Sequence, residues 1–128
     1  MASYVLVVDD EEPIRRLLGR RLHAWGYAAR EVASAADALT MMASEPASIA
    51  VIDVRMPGEN GIWLTEQIRQ RWPQTVIIIA TGADDLEGVD AMKLGVFGHV
   101  LKPFDQVVLR EMIDRASQRR SSQSLEGL

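Results

Sequence analysis

Tyr4-Val5-Leu6-Val7-Val8-Asp9-Asp10-Glu11-Glu12-Pro13 changes character in the middle: five apolar or aromatic residues run into four acids and a proline. A near-continuous apolar run of this length suits a strand of a parallel sheet, buried on both faces. The acids that follow read as a helix start. Asp10 to Glu12 supply a capping residue and acidic first-turn residues, and Pro13 stands near the first helical position. Ile14, Leu17, Leu18, Leu22 and Trp25 then mark one helical face, and Gly26 ends that helix. The unit is a strand feeding a helix, with an acidic pair at the junction.

The same alternation recurs to the end of the chain. A second strand fits Ala28 to Val32, and Ser34 caps a helix running through Leu39 and Met42 until Pro46. Ile49 to Val54 is a third strand, and Pro57, Gly58, Asn60 and Gly61 form the loop after it. Ile62 to Arg71 reads as a helix with Leu64, Ile68 and Trp72 on one face. Val76 to Ala80 is a fourth strand, followed by a helix from about Asp85 to Leu94 that stops at Gly95. Val96 to Leu101 is the fifth strand. A last helix spans about Asp105 to Ser117, burying Val108, Met112 and either Ile113 or Ala116. Five strands alternating with five helices imply an α/β fold: a doubly wound parallel sheet with right-handed crossovers and helices on both faces.

Composition bounds the function classes. The 128 residues suffice for one domain with a real core. The absence of cysteine excludes a disulfide scaffold, a thiolate zinc site and a Cys nucleophile, and His23 and His99 alone do not make a His-rich metal site. A net charge of −4 argues against direct nucleic-acid binding by this domain. The basic cluster Arg115, Arg119 and Arg120 reads as cations offsetting a helix C-terminus. No apolar run is long enough to span a bilayer, and no signal-peptide pattern opens the chain, so the expectation is a soluble cytoplasmic protein with no membrane contact. Residues 119–128 are polar and Ser-rich and read as a tail or the start of a linker to an output domain, with residues 1–118 as the domain proper.

In an open parallel sheet, sites form outside the carboxyl ends of the strands. Strand one ends in Asp9-Asp10, strand three in Asp53, strand four in Thr81, and strand five in Lys102-Pro103. Strand two ends in Ala33 and Ser34, without charge, as an edge strand would. Each residue has a structural reading by itself: Asp9 and Asp10 as helix caps, Asp53 as a turn residue, Thr81 as a plain strand end, Lys102 as a solvated cation. Their joint placement on four strand ends points to function. Two carboxylates 4 Å apart repel by roughly 4 kcal/mol at an effective dielectric near 20. One lysine does not neutralise three, whereas a hard divalent cation with oxygen ligands does. Beside such a cation, Asp53 is a carboxylate nucleophile suited to forming an aspartyl phosphate. Lys102 supplies further positive charge, and Thr81 can hydrogen-bond a phosphoryl oxygen.

These residues resemble the response-regulator receiver domain of two-component signalling. The likeness covers about residues 4 to 118. It rests on Val-Val-Asp9-Asp10-Glu-Glu, on Asp53-Val-Arg-Met-Pro57-Gly58-Glu-Asn-Gly61, on Thr81-Gly82 and on Lys102-Pro103-Phe104. The resemblance implies a flavodoxin-like fold with strand order 2-1-3-4-5. It also implies phosphorylation of Asp53 by a histidine kinase or phosphotransfer protein, and no conventional enzyme activity beyond assisting that transfer and its reversal. Mg²⁺ or Mn²⁺ would be ligated directly by Asp10 and Asp53, through water by Asp9, and by the Arg55 backbone carbonyl. A cis Pro103 would follow Lys102, with Pro57, Gly58 and Gly61 as structural residues. The face built by the fourth helix, fifth strand and fifth helix would carry the output, to a transcription-regulator domain, a partner protein or a dimer formed on phosphorylation. Thr81 and the residue three before the lysine form the family's switch. That residue is usually Tyr or Phe and here is His99, whose polarity and titration near neutral pH imply weaker or pH-dependent coupling.

Competing readings are weaker. A phosphohydrolase of the Asp-x-Asp kind would need a second carboxylate where Arg55 stands. A flavin site would need Gly, Ser or Thr around the phosphate, where Asp9 to Glu12 would repel it. The remaining alternative is a phosphorylation-independent protein–protein interaction module on the same fold.

Overall fold

The computed structural model describes residues 3–56, 58, 60–82 and 95–126, with side chains as far as 119. Five strands, β1 (Val5–Val8), β2 (Ala29–Val32), β3 (Ile49–Asp53), β4 (Val76–Thr81) and β5 (Gly98–Leu101), pair in parallel in the order β2-β1-β3-β4-β5. Between and after them lie the helices α1 (Glu12–Ala24), α2 (Ala35–Ser44), α3 (Gly61–Arg71) and α4 (Gln106–Glu126). The helix expected near residues 85–94 lies outside the described residues, so α4 here is the fifth helix expected from the sequence.

Parallel pairing explains the apolar runs. Every residue of β1, β3 and β4 is buried. Alternate side chains enter two separate cores. Leu6, Val8, Ala50, Ile52, Ile77 and Ile79 pack under α2 and α3, against Ala38, Met42, Leu64 and Ile68. Val5, Val7, Val51, Ile78 and Val100 pack on the other face, against Leu18 and Leu22 of α1 and Leu109, Ile113 and Ala116 of α4. With both faces covered, polar side chains gather at the strand ends.

The cap expected at Ser34 forms, its hydroxyl accepting the Asp37 N–H at 3.1 Å, and at the start of α3 the Asn60 side-chain Oδ1 accepts the Trp63 N–H at 2.9 Å. The start of α1 differs from expectation. Its N-cap is Glu11, with no side-chain cap. Asp9 Oδ1 instead accepts the Glu11 N–H at 2.9 Å, one turn position earlier than a cap would.

The last helix departs in phase and in length. Val108 is 50% exposed, Met112 only half-buried, and Leu109 takes the expected Val108 position in the core. Three consecutive apolar residues, Val107 to Leu109, leave the helical phase open, and packing against β5 selects Leu109. The helix also continues past Ser117 to Glu126, because neither glycine nor proline interrupts the chain before Gly127.

Truncating the fully buried Leu64 to alanine should cost about 2–5 kcal/mol, whereas Val107→Ala, at a position 69% exposed, should stay within about 0.5 kcal/mol. Urea denaturation of the two variants checks both.

Candidate functional site

The carboxyl edge of the sheet collects charge because the strands stop there in register. Asp53 closes β3 opposite Ala80, and Thr81 closes β4 opposite Leu101. Asp9 and Lys102 lie one residue beyond β1 and β5. The expected residues are thus brought together from four strand ends.

Lys102 sits between the acids. Its Nζ lies 2.8 Å from Asp9 Oδ2, 3.1 Å from Asp53 Oδ2 and 4.0 Å from Glu11 Oε1. Asp9 and Asp53 are buried, and the lysine side chain is only 15% exposed. The Arg55 N–H donates to Asp53 Oδ1 at 3.3 Å. Burial, then the Asp9 charge, pushes the Asp53 carboxyl up from its ordinary value, and Lys102 and the Arg55 N–H offset this only in part. At Lys102, burial acts to lower the ammonium, but the nearby Asp9 and Asp53 outweigh it and the net shift is upward.

The acids fit a hard cation. One oxygen from each of Asp9, Asp10 and Asp53 can lie within 4.8 Å of the others. Asp9 Oδ2 is buried and accepts no hydrogen bond of good geometry; its close contact is the ion pair with Lys102. That leaves lone-pair capacity aimed into the cluster. An all-oxygen donor set with an exposed member, Asp10, matches what Mg²⁺ or Mn²⁺ takes while keeping waters. A cleft lined by Asp10, Glu11, Val54, Arg55, Met56 and Asn60 opens beside the acids.

The remaining expected residues fall into place unevenly. Thr81 is fully buried, and its hydroxyl donates to the Gly82 carbonyl at 3.1 Å. The Lys102 N–H donates to the Thr81 carbonyl at 2.9 Å, tying the two strand ends together. The Lys102–Pro103 bond is cis. His99 pairs with Ile79, two residues below Thr81 on the same sheet face, but its ring is exposed, so it needs no buried hydrogen-bond partner. Gly58 has φ +77°, a left-handed conformation that favours glycine. Pro57 lies outside the described residues. Gly61 is required by space: a Cβ there would stand 2.0 Å from the Asp53 carbonyl oxygen. Glu11 is a helix-start acid by its place in the sequence, yet it also lies at the lysine; its position directly after the acidic pair is the signal that points there.

The model of the response regulator receiver domain matches residues 5–114. This chain belongs to that family. The receiver shares 37% identity over 113 residues with the DNA-binding transcriptional regulator NtrC of Escherichia coli, covering 88% of this chain and 24% of NtrC. It therefore spans about a quarter of the length of the curated relatives it matches. A receiver domain protein from Clostridium thermocellum superposes with a TM-score of 0.89 at 26% identity, covering 95% of this chain and 99% of that one. NtrX from Brucella abortus gives 0.91 at 26% identity, covering 99% of this chain and 30% of NtrX.

Two outcomes are expected. Gly61→Ala should destabilise the receiver by at least about 1–3 kcal/mol, since the new methyl meets backbone rather than a movable side chain; thermal unfolding reads this. The second concerns pH. A carboxyl raised on folding weakens the fold by an amount absent below the ordinary carboxylate range, and the penalty grows as pH rises through the folded pKa. In EDTA, Asp53→Asn should therefore raise the melting temperature at pH 7, with the gain vanishing toward about pH 3.

Proposed function

We propose that this chain is the phosphoryl-accepting receiver of a bacterial two-component response regulator. Asp53 takes the group from a phosphohistidine of a histidine kinase or phosphotransfer protein. The observation that carries this reading is the buried Asp53 carboxylate, 3.1 Å from Lys102 Nζ and inside a three-carboxylate cluster. An Asp53 oxygen attacks phosphorus, the phosphorus–nitrogen bond breaks, and the departing imidazole takes up a proton. Asp9, Asp10, Asp53 and the Arg55 backbone carbonyl would hold Mg²⁺ or Mn²⁺, which supplies positive charge against the phosphoryl oxygens.

The other residues act around that transfer. Lys102 is already placed to face charge arriving on Asp53, and the burial that raises the Asp53 carboxyl also excludes competing water. The Thr81 hydroxyl, now spent on the Gly82 carbonyl, can turn to a phosphoryl oxygen instead. Such a turn would pull on β5 through the Lys102–Thr81 backbone bond. His99, Leu101, Val107 and Val108 are exposed on β5 and the first turn of α4, where an output domain, partner protein or second receiver would read the change. The relatives' names favour a transcription-regulatory output. The chain is not a conventional enzyme in this reading, because the phosphoryl group stays on its own Asp53. A cytoplasmic location follows from a kinase partner, and among the described residues no helix is long and apolar enough to cross a membrane.

Intact mass after incubation with acetyl phosphate, with and without Mg²⁺, tests the reading on wild type and Asp53→Ala. One phosphoryl adduct that needs both Mg²⁺ and Asp53 is the expected result. An adduct on Asp53→Ala overturns the assignment. Failure of wild type to accept phosphoryl from either acetyl phosphate or histidine kinases favours the phosphorylation-independent interaction module.

A further inference from the structure

Asp9 stands at the end of β1, one residue past the last ladder pairs, Val8 with Val32 and Val8 with Ile52. Its carbonyl has therefore left the sheet and needs another donor. Arg15, one turn into α1, provides it: Nη1 donates to the Asp9 carbonyl at 2.9 Å. The same guanidinium faces Glu31 of β2, with Nε 3.9 Å from Oε1. Glu31 in turn lies across Gly19 of α1, where any Cβ would come within 2.5 Å of its carboxylate oxygen. The arginine is thus braced at its far side, and its side chain is only 17% exposed.

Every polar group of Asp9 is now accounted for. Its N–H donates to the Val32 carbonyl at 3.2 Å, its carbonyl accepts from Arg15, Oδ1 accepts from the Glu11 N–H, and Oδ2 pairs with Lys102. Asp10 contrasts with it: exposed, and among the described residues its side chain has no hydrogen bond or ion pair to hold it. Its carboxylate goes where the peptide between residues 9 and 10 sends it. That peptide contains the carbonyl that Arg15 grips.

We infer that Arg15 is a positioning residue for the metal site, fixing the Asp9–Asp10 peptide so that both carboxylates point at one cation. The inference rests on the reading of the acidic cluster as a Mg²⁺ site. Arg15 touches neither the cation nor the phosphoryl group; it acts through the backbone, as the outer partners of a metal site do.

The sign of the effect separates positioning from charge. Removing a nearby positive charge would, by electrostatics alone, strengthen cation binding. Removing a positioning donor weakens it, by about 10-fold or more on the usual scale for outer partners of a metal. The experiment is the dissociation constant of Mg²⁺ by isothermal titration at fixed ionic strength, for wild type, Arg15→Met, Arg15→Lys and Arg16→Met. Arg16 is the control, because its guanidinium pairs with Glu12 at 2.6 Å on the surface. Arg15→Met should bind Mg²⁺ about 10-fold more weakly. Arg15→Lys should fall between, about threefold weaker, because an ammonium lacks the planar fork that holds the Asp9 carbonyl and Glu31 together. Arg16→Met should bind as wild type or slightly more tightly.

Unchanged or tighter binding by Arg15→Met overturns the proposal. Should that variant not fold, Arg15→Lys decides alone: weaker binding at unchanged charge supports the proposal, and wild-type affinity sinks it. Wild type that binds no Mg²⁺ at all would instead remove the metal-site reading on which the inference stands.

Discussion

Two buried carboxylates share one ammonium at the carboxyl edge of the sheet, and the arrangement is stable only as a set. Asp9 and Asp53 repel one another in a place with little water, and Lys102 reaches both at 2.8 and 3.1 Å. Removing the lysine would leave two uncompensated charges; removing one acid would relieve the other. The rest of the fold serves this cluster. β1, β3 and β5 must end in register to bring the three side chains together, and the two apolar cores must be closed on both faces for the edge to be the place where charge collects. The strain is useful, since a site that holds too much negative charge for its one lysine is primed for further positive charge.

The backbone is arranged with equal economy. Gly61 has no side chain because the start of α3 lies against the Asp53 carbonyl, and its N–H donates to the Val54 carbonyl at 3.0 Å. Thr65, one turn on, donates its buried hydroxyl to the Gly61 carbonyl at 2.7 Å. The loop after β3 is thereby tied to the helix that follows, and the acid at the end of β3 keeps its direction. An aimed rather than mobile nucleophile is what the proposed phosphoryl transfer to Asp53 would require.

Much of this was legible in the residues. The unbroken apolar runs of β1, β3 and β4 require burial on both faces, and strand ends carrying Asp9-Asp10, Asp53, Thr81 and Lys102 define one edge. What the residues did not disclose depends on tertiary context. Val107, Val108 and Leu109 are equally apolar, and only contact with β5 decides that Leu109 turns inward. The helix runs on through the polar stretch after Ser117, since polarity alone does not end a helix. The contacts of Glu11 with Lys102 and of Arg15 with the Asp9 carbonyl span helix and loop, and no spacing rule assigns them.

The uninterrupted course of α4 also has a mechanical side. Its 21 residues form a rod about 30 Å long. Among the side chains described, Ala116 is the last of this helix in the core. A tilt of about 5° at the end nearest Lys102 would carry the far end through about 3 Å. Displacements too small to repack the core can thus become large at the far end, which makes the helix a lever whose short arm is set against the sheet.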